Sequence, residues 1–98
     1  MSQLTQVFYY IPEDLDDPKS MNCFIVHQGI ESLTVADIRR EFPVPGTYLF
    51  RFQFMYQRNI VWLDLTNENC KLPHINGTIT IKAHRLKWKE SQDYFASD

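Results

Sequence analysis

The 98-residue sequence predicts an α+β fold in which a five-stranded mixed sheet packs against one main helix. Two observations lead to this prediction. Five segments carry the alternating or β-branched and aromatic pattern of strands. One segment between the second and third strands carries the capping signals and apolar spacing of a helix.

The first two strands flank an acidic loop. Thr5 to Ile11 (TQVFYYI) is rich in β-branched and aromatic residues and ends at Pro12, which predicts a strand. The next segment, PEDLDDPKS, contains Pro12, Pro18 and four acids, and is expected to be a loop or a long hairpin connection. Asn22 to His27 (NCFIVH) is predicted as the second strand, and neither of its faces is plainly polar.

A short helix is predicted over Thr34–Glu41. Thr34 is a favourable N-cap residue, and Asp37 three residues later completes a capping box. Leu33 and Ile38 stand where a hydrophobic staple would form. The residues expected to share the apolar face are Val35, Ile38 and Phe42, and those expected to end the helix are Pro43 and Pro45.

Three further strands complete the sheet. Gly46 to Tyr56 alternates, with Tyr48, Phe50, Phe52, Phe54 and Tyr56 on one face. The segment QRN is expected to turn into a strand through Ile60–Leu63, and TITIKAHRLKW is predicted as the last strand. With one helix, this order corresponds to a ubiquitin-like β-grasp roll. We expect one domain over residues 1–89 and a polar, frayed tail over residues 90–98.

The fourth strand has an unusual second face. Val61, Leu63 and Leu65 alternate onto one face, which can belong to the core, whereas Ile60, Trp62 and Asp64 fall on the other. A small soluble domain normally places polar residues on that second face. The strand therefore offers apolar side chains that a monomer cannot easily bury.

Composition excludes several classes of protein. The net charge is -2 with 22% charged and 44% hydrophobic residues, which is neither the profile of a basic nucleic-acid binder nor that of a disordered chain. No apolar run reaches the ~20 residues of a membrane span. No basic-then-apolar leader opens the sequence, so we expect a cytoplasmic protein with Cys23 and Cys70 as free thiols. Asn76-Gly77-Thr78 matches a glycosylation sequon but is interpreted as a turn.

Three motifs have a second interpretation. The aromatic row of YLFRFQF could stack nucleic-acid bases, but the core interpretation is favoured. The pairs Cys23/His27 and Cys70/His74 could be zinc ligands, but a spacing of four on a strand separates side chains by about 13 Å, so no metal is expected. The basic segment KAHRLKWKE is interpreted either as charges that protect a solvent-exposed edge strand from aggregation or as a docking patch for acidic groups. No nucleophile triad or phosphate loop is present, and we predict no enzyme and no cofactor.

Four segments together resemble a DIX domain, the module shared by Dishevelled, Axin and Dixin proteins. They are TQVFYYIPED, SLTVADIRREF, the aromatic strand and KLPHING, in the order and spacing of that family over about residues 4–86. NIVWLDL is more similar to the plant SOSEKI branch. The loop PEDLDDPKSM is longer than the Dishevelled pattern, so the resemblance defines the matching of the second strand only to within one or two positions.

The resemblance implies a ubiquitin-like fold that polymerises head to tail through two different surfaces. The head positions that it implies are Arg58, Ile60, Val61, Trp62 and Asp64. The tail positions that it implies are Asn22, Cys23, Phe24 and Ile25. From charge sign alone, the loop acids Glu13, Asp14, Asp16 and Asp17 are expected to attract Arg58 of the next copy.

The function expected from this resemblance is non-enzymatic self-association that assembles multivalent signalling or cell-polarity scaffolds. The partners would be further copies of the chain and other DIX domains, without nucleic acid or membrane insertion, in cytoplasmic puncta or at the cell cortex. The alternative is a monovalent ubiquitin-like adaptor that binds one protein through an exposed strand. Growth of particle size with concentration would distinguish the first from the second.

Overall fold

A computed structural model describes residues 3–88, and in it the chain forms a single five-stranded sheet with one α-helix. The strands are β1 (Thr5–Tyr10), β2 (Asn22–Val26), β3 (Thr47–Tyr56), β4 (Asn59–Asp64) and β5 (Ile79–Lys87), and the helix is α1 (Val35–Glu41). Single 3₁₀ turns lie at Pro12–Asp14 and Ile30–Ser32. The predicted element order and α+β class are confirmed, whereas the predicted tail over residues 90–98 lies outside the described residues.

The sheet is mixed, with strand order β2-β1-β5-β3-β4. β1 and β5 pair in parallel, and every other pairing is antiparallel. The first and last strands of the chain therefore lie side by side in the middle of the sheet. β2 and β4 occupy opposite edges, separated by four strand spacings or about 19 Å.

One face of the sheet packs on α1 and forms the core. Its fully buried members include Val7, Phe52, Ile79 and Ile81 from the strands and Ile38 from the helix. Tyr48 and Phe50 are also buried, so the aromatic row of β3 is core as predicted. Toward the end of the strand Phe54 is half-buried and Tyr56 is exposed, because a seven-residue helix is about 10 Å long and β3 extends about 33 Å.

The helix begins with the predicted capping box. The Thr34 hydroxyl accepts a hydrogen bond from the Asp37 backbone N–H at 3.4 Å, and an Asp37 carboxylate oxygen accepts one from the Thr34 N–H at 3.0 Å. Burial alone would raise the pKa of Asp37, but the hydrogen bonds from Thr34, Arg40 and Gln28 lower it. The Phe42 ring follows the helix and packs edge-on against the rings of Tyr9, Phe24, Tyr48 and Phe50.

β5 is the central strand of the sheet. The interpretation of its basic residues as protection of an edge strand against aggregation is therefore wrong. Alternation of residues defines a strand but does not identify its neighbours, and the parallel pairing with β1 joins segments from opposite ends of the chain. Two basic residues of the segment, Arg85 and His84, have partners within the chain. Arg85, whose side chain is 5% exposed, pairs with Asp14, and His84 lies 3.2 Å from Glu13.

Two smaller predictions are confirmed. Asn76 and Gly77 both have positive φ, at 52° and 78°, and the backbones of Ile75 and Thr78 exchange two hydrogen bonds of 3.0 Å across them, which makes a tight hairpin turn. Cys23 and Cys70 are free thiols. Among residues 3–88, no helix has the length and apolar character needed to cross a bilayer.

Candidate interaction surfaces

The β4 edge carries the residues predicted as the head. Its register with β3 places Ile60, Trp62 and Asp64 on the face opposite α1, and Val61 on the helix side beside Phe54. Ile60 is 48% exposed, and Val61 is half-buried and lies outside the buried core cluster of the described residues. As the outermost strand, β4 also presents alternate backbone N–H and C=O groups without a strand partner.

Trp62 is supported by two neighbours on the sheet face opposite α1. The Lys82 ammonium lies 4.6 Å from the centre of the Trp62 ring system, which is a cation–π contact, and the Tyr10 ring meets it edge-on at 6.3 Å. These contacts reach from β4 to β5 and β1. They explain why Trp62 is only half-buried rather than exposed, and they fix its ring beside the free edge.

Asp64 has a partner within the chain. Its Oδ1 lies 3.0 Å from the Nε atom of the cross-strand residue Arg51. The N–H direction of that Nε does not meet hydrogen-bond geometry, so the contact is an ion pair without an aligned hydrogen bond. Both side chains are substantially exposed, at 40% for Arg51 and 52% for Asp64, which limits the strength of the pair.

Arg58 stands at the tip of the β3–β4 hairpin. The two turn residues Gln57 and Arg58 have φ of 48° and 68°, a left-handed pair of the kind that Asn-Gly usually supplies. The Asn59 amide donates a hydrogen bond to the Gln57 carbonyl at 3.2 Å. Arg58 is exposed and has no acidic partner within residues 3–88. The hairpin therefore holds an uncompensated cation at the start of β4.

The β2 edge carries the residues predicted as the tail. Asn22, Cys23 and Ile25 are exposed, and Ile25, at 42%, faces away from α1. Phe24 differs, because it is half-buried on the helix side and its ring contacts Tyr9 at 5.7 Å and Phe42 at 5.9 Å. Phe24 therefore contributes to the core as well as to the edge.

The acidic loop before β2 is fixed by its own carboxylates. Asp16 Oδ2 accepts hydrogen bonds from the Ile11 backbone N–H at 3.0 Å and from the Asn22 side-chain amide at 3.1 Å, which joins the end of β1 to the start of β2. Asp17 accepts a bond from the Lys19 N–H and remains exposed. Of the four acids expected to attract Arg58, Asp14 pairs with the Arg85 guanidinium and Glu13 accepts a hydrogen bond from the Arg85 backbone N–H instead.

The partners on β5 shift the pKa of both carboxyls. Hydrogen bonds from the Arg85 guanidinium lower the pKa of Asp14. Burial would raise the pKa of Glu13, but hydrogen bonds from the Arg85 backbone and the His84 ring outweigh burial and lower it. Both acids are thus held in the charged form against the middle of the sheet.

The sequence analysis did not single out one exposed apolar residue of this loop, Leu15. Leu15 follows the 3₁₀ turn with φ of 61° and is 92% exposed, and Met21, directly before β2, is 37% exposed. A left-handed leucine in full contact with water gains nothing from its own chain. The available sequence signal was a leucine surrounded by acids in a loop bounded by prolines.

Together, the two edges form a pair of different surfaces at opposite ends of one sheet. Each combines an open backbone edge with aliphatic side chains, and each has a charged group at the chain-entry end of its strand, Arg58 for β4 and the loop acids for β2. Within residues 3–88, no three His, Cys, Asp or Glu side chains come together as metal ligands. The arrangement can bind protein chains, and binding at one edge leaves the other edge free.

Comparisons with known proteins agree with this picture. A family model described as the DIX domain matches residues 4–83, which span all five strands and α1 except the end of β5. A search of curated proteins found no match to the chain.

Proposed function

Since this chain belongs to the DIX domain family, a family of non-catalytic modules for protein–protein interaction and oligomerisation, we propose that it self-associates head to tail. In this proposal the β4 edge of one copy, with Arg58 and Ile60, contacts the β2 edge of the next, with Cys23 and Ile25. The observation that carries the proposal is the strand order, which puts two different apolar edges at opposite ends of one sheet.

Different surfaces at opposite ends produce open growth. A contact between unlike patches is heterologous, so each added copy presents the same free edge as the last one. The length of the assembly is then limited by concentration and affinity rather than by closure. A self-complementary contact, such as β4 against β4, would stop at a dimer.

The consequence for a larger protein is avidity. A filament of weak contacts multiplies the binding sites that are attached to each copy, and it raises their effective concentration without any new contact to the ligand. We propose that the module acts in this way as a scaffold in signalling or cell polarity, with itself or other DIX domains as partners, in cytoplasmic puncta or at the cell cortex. Dilution or modification of an edge would dissolve the scaffold.

The alternative function is a monovalent adaptor that uses one edge only. It has support from Phe24 and Trp62, whose rings are partly occupied by neighbours within the chain and leave each edge with a modest apolar area. Sedimentation of the purified domain over a concentration series separates the two functions. The weight-average mass rises with concentration for a self-associating module and stays at one copy for an adaptor.

Blocking each edge in turn tests the head-to-tail arrangement. Val61→Asp on the head, or Ile60→Asp as a second head variant, places a charge where the next copy would bury it, and Ile25→Asp does the same on the tail. Each single variant should remain monomeric. Leu49→Asp is the matched control for Ile60→Asp and Ile25→Asp, because Leu49 is 37% exposed on the face opposite α1, as Ile60 and Ile25 are, but lies on the internal strand β3.

The mixture of the two blocked variants is decisive. Each retains one intact surface, so a head-blocked and a tail-blocked chain should form a one-to-one complex and grow no further. If both are folded by circular dichroism and the mixture still contains only monomers, the head-to-tail proposal is wrong for these residues.

A further inference from the structure

An apolar groove lies between the end of α1 and the start of β3. Its volume is about 320 Å³, and its lining includes the rings of Phe42, Tyr48 and Phe50 and the side chain of Val44. Phe42 and Val44 pack against the core but are only half-buried, so part of their apolar surface stays open to solvent. An apolar cavity of about 150 Å³ is large enough to hold benzene, so this groove has room for one aromatic ring.

The polar groups around the groove already have partners. Arg39 donates hydrogen bonds to the Tyr48 carbonyl at 3.1 Å and to the Glu68 carboxylate at 3.1 and 3.2 Å. The Tyr48 hydroxyl donates to the Pro45 carbonyl at 3.0 Å and accepts from the Arg85 Nε. A hydroxyl inserted among these groups would have to compete for them, whereas an unsubstituted ring would not. The groove therefore favours a phenyl ring over a phenol.

The end of β5 passes along the rim of this groove. Lys87 pairs with Thr47, the first residue of β3. A Cβ atom built on Gly46 would lie 2.6 Å from the Lys87 carbonyl oxygen and 2.9 Å from that of Trp88. Gly46 and Thr47 both line the groove. The chain that follows Trp88 thus starts beside the groove.

The sequence after Trp88 supplies one suitable side chain. It reads KESQDYFASD, and its large apolar side chains are those of Tyr94 and Phe95. Seven residues separate Trp88 from Phe95, a reach of up to about 24 Å, so Phe95 can enter a groove whose rim lies at Gly46. Insertion would remove apolar surface from water on the ring and on the groove walls, which is favourable.

We propose that Phe95 inserts into this groove of its own copy, against Phe42 and Val44, and that the segment after Trp88 thereby covers an apolar site at the end of α1. This proposal replaces the frayed tail that the polar composition of the segment predicts. The groove is lined by α1, β3 and the loop between them, and by neither edge strand. The inference therefore does not depend on head-to-tail assembly, and the covered groove leaves β2 and β4 open.

Thermal unfolding of the full chain tests the contact. Phe95→Ala should lower the melting temperature by about 4–8 °C, whereas Tyr94→Ala, the matched control, should lower it by less than about 2 °C because adjacent side chains of an extended segment point in opposite directions. Val44→Ala should have a smaller effect in the Phe95→Ala background than in the wild type, since the two residues share one contact. Equal shifts for the two aromatic variants, or strictly additive effects of Val44→Ala and Phe95→Ala, overturn the proposal.

Nuclear Overhauser contacts identify which copy holds the ring. At a concentration where sedimentation gives one copy, the Phe95 ring protons should show contacts to the Val44 methyl groups. An isotope-filtered spectrum of mixed labelled and unlabelled chains should not show them. Contacts that appear only between chains, or a Phe95 ring without contacts to the groove, overturn the proposal.

Discussion

Arg85 on the central strand β5 forms a two-bond ion pair with Asp14, the last residue of the 3₁₀ turn that follows β1. Nη1 lies 2.5 Å from Oδ1 and Nη2 lies 2.8 Å from Oδ2, while the Arg85 Nε donates to the Tyr48 hydroxyl at 3.1 Å. The guanidinium also stacks 3.5 Å from the centre of the Trp88 ring system. This cluster fastens the acidic loop, and with it the entry to the tail strand β2, to the middle of the sheet.

The Arg85–Asp14 ion pair predicts that the domain loses stability in acid. Because the folded-state pKa of Asp14 is lowered from 3.8, the stabilisation is present above that value and is lost as the pH falls through the folded-state pKa. Asp14→Asn should melt below wild type at pH 7, and the two melting temperatures should converge as the pH falls below about 4. Thermal unfolding from pH 7 to 3 measures this gap, and a gap that is constant with pH would contradict it.

Phe52 and Tyr56 lie on the same face of β3 but differ in burial, so replacing each with alanine should change the stability by unequal amounts. Phe52 is 0% exposed and Tyr56 is 56% exposed. Phe52→Ala should lower the free energy of unfolding by about 3–5 kcal/mol, since it leaves a cavity, and Tyr56→Ala should change it by less than about 0.5 kcal/mol. Urea unfolding of both variants gives the comparison. Similar small losses would show that Phe52 is not a core residue.

The features predicted correctly from the sequence depend on near neighbours. The Thr34–Asp37 capping box, the Asn76-Gly77 turn and the alternation of β3 each depend on residues within a few positions of one another. The features that were missed depend on distant ones. Periodicity could not show that β5 lies beside β1. It therefore could not show that Arg85 forms an ion pair with Asp14 instead of protecting an edge strand from aggregation.

The same limit applies to the two surfaces. The faces of Ile60 and Trp62 followed from alternation, but the contacts of Trp62 with Lys82 and Tyr10 depend on strand order. Leu15 was overlooked because its 92% exposure depends on how the loop lies on the folded domain, and the sequence signal was only a leucine among acids between two prolines.

The β3–β4 turn offers a way to separate stability from association. Arg58 has φ of 68°, which is unfavourable for a residue with a Cβ atom. Arg58→Gly should raise the free energy of unfolding by about 0.5–1 kcal/mol, since relief of strain exceeds the entropy that glycine adds to the unfolded chain. It should also weaken self-association, because the head loses its cation.

Arg58→Ala is the matched control for that variant. It removes the same charge but keeps the Cβ atom in the left-handed region, so it should weaken association equally without raising stability. Chemical denaturation and sedimentation of both variants give the two readouts. A glycine variant that is no more stable than the alanine variant would show that the turn carries no strain.

The two free thiols provide an internal probe of whether the tail edge is covered on assembly. Cys23 is exposed on the edge strand β2, whereas Cys70 is half-buried and packs against the core. In dilute solution Cys23 should react with a thiol reagent faster than Cys70, and both should react in denaturant without prior reduction.

As the protein concentration rises, the labelling rate at Cys23 should fall with the fraction of covered tails, while the labelling rate at Cys70 stays constant because Cys70 lies on neither edge strand. The Ile25→Asp variant is the control, since its tail stays open and its Cys23 should react at a rate independent of concentration. If Cys23 of the wild-type chain labels at one constant rate while sedimentation shows large assemblies, the surface buried on assembly does not include β2.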